Sequence, residues 1–154
     1  MHRNAEHVAS ELRALGVTGE VRDLPEPAPT AAAAAGQLGC PVGAIANSLV
    51  FNADGEPLLI LTSGAHRVDT GKVAAEIGVA KLGRADPEFV YASTSQRIGG
   101  VAPVGHPKPI RTLVDTALQP HEVVWAAGGH VHTVFPTSFG ELVRITGGTP
   151  MDVG

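Results

Sequence analysis

The glycine- and proline-rich segment Ile98–Pro107 is the part of the sequence best suited to bind a small ligand. Its ten residues include three glycines and two prolines, a composition that excludes a helix and a central strand. Glycine lets a ligand approach the backbone closely, whereas Pro103 and Pro107 stiffen the loop. Such a loop exposes backbone N–H groups that suit a carbonyl or phosphate oxygen. A structural crossover loop explains the same pattern, so the residues alone leave both interpretations open.

A polar pair, Asn47-Ser48, interrupts the otherwise apolar sequence IANSLVF. Polar groups inside such a strand must find hydrogen-bond partners or face a cleft. Because strand side chains alternate between faces, at least one of the two is expected on the solvent side. If Asn47 faces inward, its amide offers both a donor and an acceptor to a bound ester or hydroxyl.

Histidine and cysteine offer weaker candidates. His130 and His132 lie two residues apart, which places them on one face of a strand, but no carboxylate or thiolate is near them in sequence. Cys40, the single cysteine, precedes Pro41 in a pattern typical of a small buried residue at a helix end. The sequence therefore predicts neither a metal site nor an internal disulfide.

The elements that must position these residues read as one α+β domain over residues 1–154. Two apolar runs, Ile45–Phe51 and Pro57–Thr62, flank Asp54-Gly55 and predict a hairpin. A second hairpin is predicted across Gly128-Gly129, and the residues after Gly148 read as a mobile tail. Helices are predicted after the N-cap candidates Asn4, Thr30, Asp69, Asp86 and either Thr137 or Ser138. Hairpins without a regular βαβ rhythm indicate a mixed, mostly antiparallel, barrel-like sheet surrounded by helices.

Composition and charge limit the classes of function. The 154 residues are 44% hydrophobic, and neither an apolar run of membrane-spanning length nor a signal peptide is visible, so we expect a cytoplasmic protein. The net charge is −4, yet residues 66–111 carry seven basic and four acidic side chains. This stretch is either an ordinary solvated surface or a patch for a phosphate-bearing ligand. Aromatic residues make up only 4%, which disfavours binding of single-stranded nucleic acid by base stacking.

The order of several short motifs resembles the YbaK/EbsC family, which is related to the editing domain inserted in bacterial prolyl-tRNA synthetase. The motifs are the strand with Ser48-Leu49-Val50-Phe51, the segment from Leu61 through His66-Arg67-Val68-Asp69, the Ala85–Val90 segment, and the loop Ile98–His106. The resemblance covers roughly residues 28–148.

This resemblance implies a freestanding aminoacyl-tRNA deacylase with a mainly antiparallel sheet and neither metal nor cofactor. It implies hydrolysis of mischarged tRNA for proline carrying cysteine or alanine, with the tRNA acceptor end and prolyl-tRNA synthetase as partners. By resemblance, the catalytic positions are Asn47, Gly99, Gly100 and Pro103. The implied substrate-binding positions are Ser48, Ser63, His66, Arg67, Lys72, Thr94, Val101, Ala102 and His106. The hydrolytic water is expected to be activated by tRNA hydroxyls.

Two departures from the family pattern bear on activity. The family usually has a lysine where this chain has Asn47, and a neutral amide makes a weaker contact than an ammonium group. Relatives often have Thr-Gly where this chain has Thr94-Ser95. His66, Arg67 or Lys72 could supply the missing cation. The alternatives are a binding module that has lost catalysis and a hydrolase for a different aminoacyl ester. In each case we expect one cleft lined by Asn47, Ser48, Gly99, Gly100, Ala102 and Pro103.

Overall fold

The computed structural model describes residues 2–154 and contains five α-helices and eight strands within them. The helices are α1 (Arg3–Ala14), α2 (Ala31–Leu38), α3 (Thr70–Ile77), α4 (Pro87–Thr94) and α5 (Phe139–Thr146). The strands are β1 (Arg22–Asp23), β2 (Ile45–Ala53), β3 (Glu56–Ser63), β4 (Leu82–Arg84), β5 (Arg111–Asp115), β6 (Val124–Ala127), β7 (Thr133–Thr137) and β8 (Thr149–Met151). Two 3-10 turns cover Val42–Ala44 and Thr116–Leu118. Within the described range, every helix is too short or too polar to cross a membrane.

Four of the predicted helix starts are confirmed. At each, the side-chain oxygen accepts the backbone N–H three residues further on, and the capping residues are Thr30, Asp69, Asp86 and Ser138. The prediction for α1 is wrong by two residues, because Nδ1 of His2 accepts the Asn4 N–H at 3.1 Å and Asn4 lies inside the helix.

The predicted mixed, mainly antiparallel α+β fold is confirmed. Four of the seven strand pairings are antiparallel and three are parallel. The strand order is β1-β7-β6-β2-β3-β5-β8, with β4 paired to β2 outside this order. Both predicted hairpins, β2–β3 and β6–β7, form. The first turns through Asp54 and Gly55, whose φ angles of 52° and 96° explain the preference for Asp-Gly.

Strand β2 has two different neighbours on the side opposite β3. At its start, Ile45–Ala46 pairs with β6 in parallel, and at its end Phe51–Ala53 pairs with β4 in antiparallel register. Between these contacts, residues 47–50 have no neighbouring strand on that side within the described residues. We call this opening the fork. At about 3.3 Å per residue, it is roughly 13 Å long.

The two faces of the sheet are covered by different helices. The larger core cluster packs one face against α1, α4 and α5, and includes Ala46, Leu59, Leu61 and Val101. A smaller cluster packs the other face against α3 and includes Leu58, Ile60 and Val73. Helix α2 packs its alanines against Ile45 and Trp125. Side chains of β2 alternate accordingly, so Ser48 and Val50 lie on the first face and Asn47, Leu49 and Phe51 on the second.

The prediction of a mobile tail after Gly148 is wrong. Residues Thr149–Met151 form β8, a parallel neighbour of β5. Beyond it, Val153 is fully buried in the cluster under α3, and its carbonyl oxygen accepts the Asp69 N–H at 2.8 Å. A short strand containing proline carries little sequence signal, and long-range pairing decides its structure.

Candidate functional site

A cavity of about 640 Å³ occupies the fork. This volume lies within the range of about 300–1,000 Å³ that is usual for small-molecule sites. Its walls come from β2, the start of α2, β4, β6 and the first part of the glycine- and proline-rich segment Ile98–Pro107, which we call the glycine loop. Of the predicted site residues, four line it: Asn47, Ser48, Gly99 and Val101. Most other lining side chains are small or apolar, including Ala31, Ala34, Leu49 and Trp125.

The polar pair of β2 contributes to this cavity from both faces of the strand. Asn47 is exposed and lies opposite Thr62 of β3. Ser48 is partly buried, and its Oγ is a buried polar atom with no hydrogen-bond partner among the described residues. An unsatisfied buried hydroxyl costs about 1–3 kcal/mol. In native structures such a group is an exception that calls for an explanation, and a bound ligand is one.

The glycine loop divides into an open half and a braced half. Gly99, with φ of 90°, and Val101 line the cavity. Gly100 is buried against the neighbouring hairpin turn, where an added Cβ would lie 2.7 Å from Cα of His130. Ala102 and Pro103 are also buried and do not line the cavity. The expectation that all six residues line one cleft is therefore wrong for Gly100, Ala102 and Pro103, because this part of the loop packs into the core beneath the sheet.

Gln96 holds the braced half in place, and sequence reasoning missed it. Its buried amide accepts the Ala102 N–H at 2.6 Å and donates to the Val104 carbonyl at 3.2 Å. His106 adds a third contact, in which Nε2 donates to the Ala102 carbonyl at 2.8 Å. Burial lowers the pKa of His106, and the bond to the Ala102 carbonyl opposes this shift. His106 thus supports the loop from behind and does not line the cavity.

Arg84 of β4 is the second site residue that the sequence did not reveal. Within the described chain it is the only charged side chain lining the cavity. It lies opposite Phe51, on the same face of β2 as Asn47. No described carboxylate is within ion-pair distance of its guanidinium. Its charge is therefore available to a ligand, and its guanidinium geometry suits a phosphate.

Three of the residues that the resemblance placed at the substrate, Ser63, His66 and Lys72, belong to a separate cluster around Asp115. This carboxylate is fully buried and accepts from Thr62 Oγ1, the Ser63 N–H and the Ala117 N–H at 3.0–3.2 Å. His66 Nδ1 lies 3.0 Å from the same carboxylate.

The hydroxyl of Ser63 and the ammonium of Lys72 also have partners in this region. Ser63 Oγ donates to the Gly43 carbonyl at 2.8 Å. Lys72 Nζ donates to the Gly154 carbonyl at 3.1 Å and lies 3.4 Å from Asp152. Ser63, His66 and Lys72 do not line the cavity, and their polar groups are engaged here. Arg67 lies exposed on the loop between β3 and α3.

Thr94 caps the turn that leads into the glycine loop. Its buried hydroxyl lies 2.7 Å from the Val90 carbonyl and 3.0 Å from the Gln96 N–H, so it shapes the loop from outside the cavity. Ser95 follows with φ of 59°, a left-handed conformation that usually favours glycine.

Two groups of side chains bring potential metal ligands close together, one around His130 and one around Asp115. His130 stacks face to face on His2 and His132, with ring centroids 4.3 and 5.4 Å away, so the three rings are not directed at a common point. His66, Asp115 and Asp152 each bring one ligand atom to within 4.8 Å of the others. In this second group, the Lys72 ammonium already lies beside the Asp152 carboxylate, where a metal ion would have to bind. The Gly154 N–H and the Lys72 ammonium lower the pKa of Asp152.

Known proteins resemble this chain in sequence and in structure. The family model for the aminoacyl-tRNA editing domain matches residues 25–145. Proline–tRNA ligase of Nitratidesulfovibrio vulgaris is 33% identical over 93 residues, which are 60% of this chain and 16% of that protein. The ligase of Geobacter sulfurreducens is 28% identical over 123 residues, 73% of this chain and 21% of that one. The chain thus spans about a fifth or less of these curated relatives.

Solved structures match over nearly the whole chain. One, described as a candidate trans-editing enzyme for prolyl tRNA synthetase, has a TM-score of 0.94 at 37% identity and covers 99% of this chain and 98% of its own. A scaffold protein used for epitope grafting has a TM-score of 0.93 at 36% identity, with the same coverage. Together with the family match over residues 25–145, these likenesses confirm the YbaK/EbsC resemblance, and the chain belongs to the aminoacyl-tRNA editing domain family.

Proposed function

We propose that this protein hydrolyses the ester bond of mischarged aminoacyl-tRNA, with tRNA for proline carrying alanine or cysteine as its substrate. The observation that carries the proposal is the fork cavity, which among the described residues combines an apolar wall, one unpaired cation, Arg84, and the unpartnered hydroxyl of Ser48. The family match and the likeness to a candidate trans-editing enzyme support the same reaction class.

The apolar wall supports a small amino acid as the moiety removed. Helix α2 presents Ala31 and Ala34 to the cavity, and Trp125 closes that side. Alanine and cysteine side chains match such a wall because neither requires a charged partner. The Arg84 guanidinium, at the opposite end of the fork, suits the phosphate of the terminal nucleotide.

The lining of the cavity argues that a group of the substrate activates the water. Among residues 2–154, no carboxylate and no imidazole lines it, so a protein side chain of suitable pKa for general-base catalysis is missing there. The vicinal hydroxyl of the terminal ribose is the remaining candidate. Water attacks the acyl carbon, the ester C–O bond breaks, and the ribose oxygen leaves with a proton to give free amino acid and intact tRNA.

The decisive experiment is a deacylation screen over mischarged tRNAs with the purified protein. We expect release of alanine or cysteine from tRNA for proline, and loss of turnover when the terminal adenosine lacks its vicinal hydroxyl. If no mischarged tRNA is turned over while tRNA still binds, the deacylase proposal fails.

A second candidate function is a binding module without turnover, and the neutral Asn47 favours it. A charge-assisted hydrogen bond exceeds a neutral one by about 1 kcal/mol, which corresponds to about fivefold in rate. A loss of this size does not abolish hydrolysis, so under the deacylase proposal we expect Asn47→Lys to raise the rate by up to about fivefold and Asn47→Ala to lower it. Absence of turnover in the wild type and in both variants favours the binding module. If neither substitution changes turnover, Asn47 takes no part in the site.

Complex formation with prolyl-tRNA synthetase, the proposed protein partner, can be measured on the same preparations.

A further inference from the structure

The free edge of β2 inside the fork supports an inference about how the substrate is held, and it rests on the proposed function. The Ile45 carbonyl accepts the Gly64 N–H at 2.8 Å, which fixes the phase of the β2–β3 ladder. Odd-numbered residues of β2 therefore direct their backbone groups toward β3. Even-numbered residues direct theirs to the opposite side, toward β6 and β4.

Within the fork this places the backbone groups of Ser48 and Val50 at the cavity. Ladder pairing on this side ends at Ala46 and resumes at Phe51. In the described part of the chain, no hydrogen bond reaches the Ser48 N–H, the Ser48 C=O or the Val50 N–H. The buried and unpartnered Ser48 Oγ belongs to the same residue, so unsatisfied groups of side chain and backbone coincide here. Backbone groups within a sheet are normally paired, and this concentration of unpaired groups points to a ligand.

The spacing of these groups matches one residue of a parallel strand. In a parallel ladder, a residue opposite position i donates to the carbonyl of i−1 and accepts from the N–H of i+1. An amino acid opposite Leu49 would thus donate from its α-amino group to the Ser48 C=O and accept at its carbonyl oxygen from the Val50 N–H. Strand β6 pairs with β2 in parallel and turns away after Ala127, so the ligand would occupy the place where that strand would have continued.

We propose that β2 binds the aminoacyl group of the substrate as a one-residue parallel strand opposite Leu49, through the Ser48 C=O and the Val50 N–H. The polarity follows from the register. The acyl carbonyl and its ester run toward Phe51, where Arg84 lies opposite. The substrate side chain lies on the Leu49 face, toward the alanines of α2. The Val50 N–H also stabilises the negative charge that develops on the carbonyl oxygen when water attacks.

Replacement of single backbone N–H groups by ester oxygens tests this directly. An α-hydroxy acid at position 50 removes the Val50 N–H, and one at position 48 removes the Ser48 N–H, which the proposal does not use. Each replacement also weakens one carbonyl that faces β3, so the two proteins are matched in stability. The probe is a non-hydrolysable alanyl-adenosine in which an amide replaces the ester.

We expect the ester at position 50 to weaken probe binding about three- to tenfold, whereas the ester at position 48 stays within about twofold of the wild type. A probe with propionyl in place of alanyl lacks the amino group, and it should lose affinity for all three proteins. Equal affinities of the two ester proteins would overturn the inference. Deacylation of mischarged tRNA by the unmodified protein is measured in parallel. If the unmodified protein does not deacylate any mischarged tRNA, the proposed function fails. If it does, and the two ester proteins bind the probe with equal affinity, only the strand-like binding mode fails.

Discussion

Two polar regions lie on adjacent strands of the same sheet and differ in how completely their polar groups are bonded. In the Asp115 cluster, both carboxylate oxygens of Asp115 accept at least one hydrogen bond, and Ser63, His66 and Lys72 all have partners. In the fork, the Ser48 hydroxyl has no partner among residues 2–154, and no carboxylate in that range lies within ion-pair distance of Arg84. The pair Asn47↔Thr62 joins the two regions across β2 and β3.

The completeness of hydrogen bonding therefore distinguishes a polar region that stabilises the fold from one that can bind a ligand. A buried network in which every polar group is hydrogen-bonded stabilises the fold and has no free donor or acceptor for a ligand. Groups left without partners cost free energy in the free protein, and a ligand that bonds them removes that cost. Residue type alone does not distinguish these cases, because both regions contain serine and a cation.

The largest expected effect is on stability, at Asp115. Asp115→Ala leaves several buried donors without their acceptor and should lower the free energy of unfolding by roughly 3–5 kcal/mol. Denaturant titration measures this, with the exposed Asp152→Ala as control, which should stay close to the wild type. A folded Asp115→Ala protein of wild-type stability would show that the cluster is not structural.

The next effect is on activity, at Arg84. Arg84→Met removes the only described charge in the cavity and should lower kcat/KM by roughly tenfold or more, since hydrogen bonds to charged groups contribute about 1.5–3 kcal/mol. Because Arg84 is exposed, the melting temperature should not change. Lys72→Met is the matched control, since its cation is already paired, and it should leave kcat/KM unchanged. An equal loss of kcat/KM in both variants would contradict the distinction between the unpaired cation Arg84 and the paired cation Lys72.

Two neighbouring residues of the glycine loop also differ in this way, because Gly100 packs into the core and Gly99 lines the cavity. In Gly100→Ala the new methyl group meets the backbone of His130, and overpacking of this kind costs about 1–3 kcal/mol. Gly99→Ala has space for the methyl group but forces alanine to a φ of 90°, which costs about 1 kcal/mol and narrows the cavity. We expect thermal unfolding to show the larger loss for Gly100→Ala, and kinetics the larger rise in KM for Gly99→Ala.

The smallest effect is a dependence of stability on pH through His106. Because burial lowers its pKa in the folded protein, the unfolded chain binds a proton first as the pH falls below the ordinary value of about 6.5. The contribution of His106 is therefore intact above that pH and decreases below it. The free energy of unfolding should fall less between pH 7.5 and pH 5.5 in His106→Asn than in the wild type.

Local features were predictable from the sequence, whereas the site depends on long-range pairing. Thr30, Asp69 and Asp86 cap helices because their side chains bond the backbone three residues away, and Asp54-Gly55 turns because of its own φ preferences. Arg84 was not predicted because β4 has three residues and exists only through its pairing with β2. The fork follows from where β6 ends and β4 begins beside β2, and no local pattern encodes that coincidence.

The fork also bears on self-association. A free strand edge at the border of a sheet is a template on which another polypeptide can add, and proteins protect such edges against aggregation. Here the unpaired stretch of β2 lies inside the sheet, with β6 at one end and β4 at the other. A gap of four residues excludes an incoming strand of ordinary length, which is about five to six residues. The protein can therefore keep backbone groups available to a small molecule without offering them to a second polypeptide.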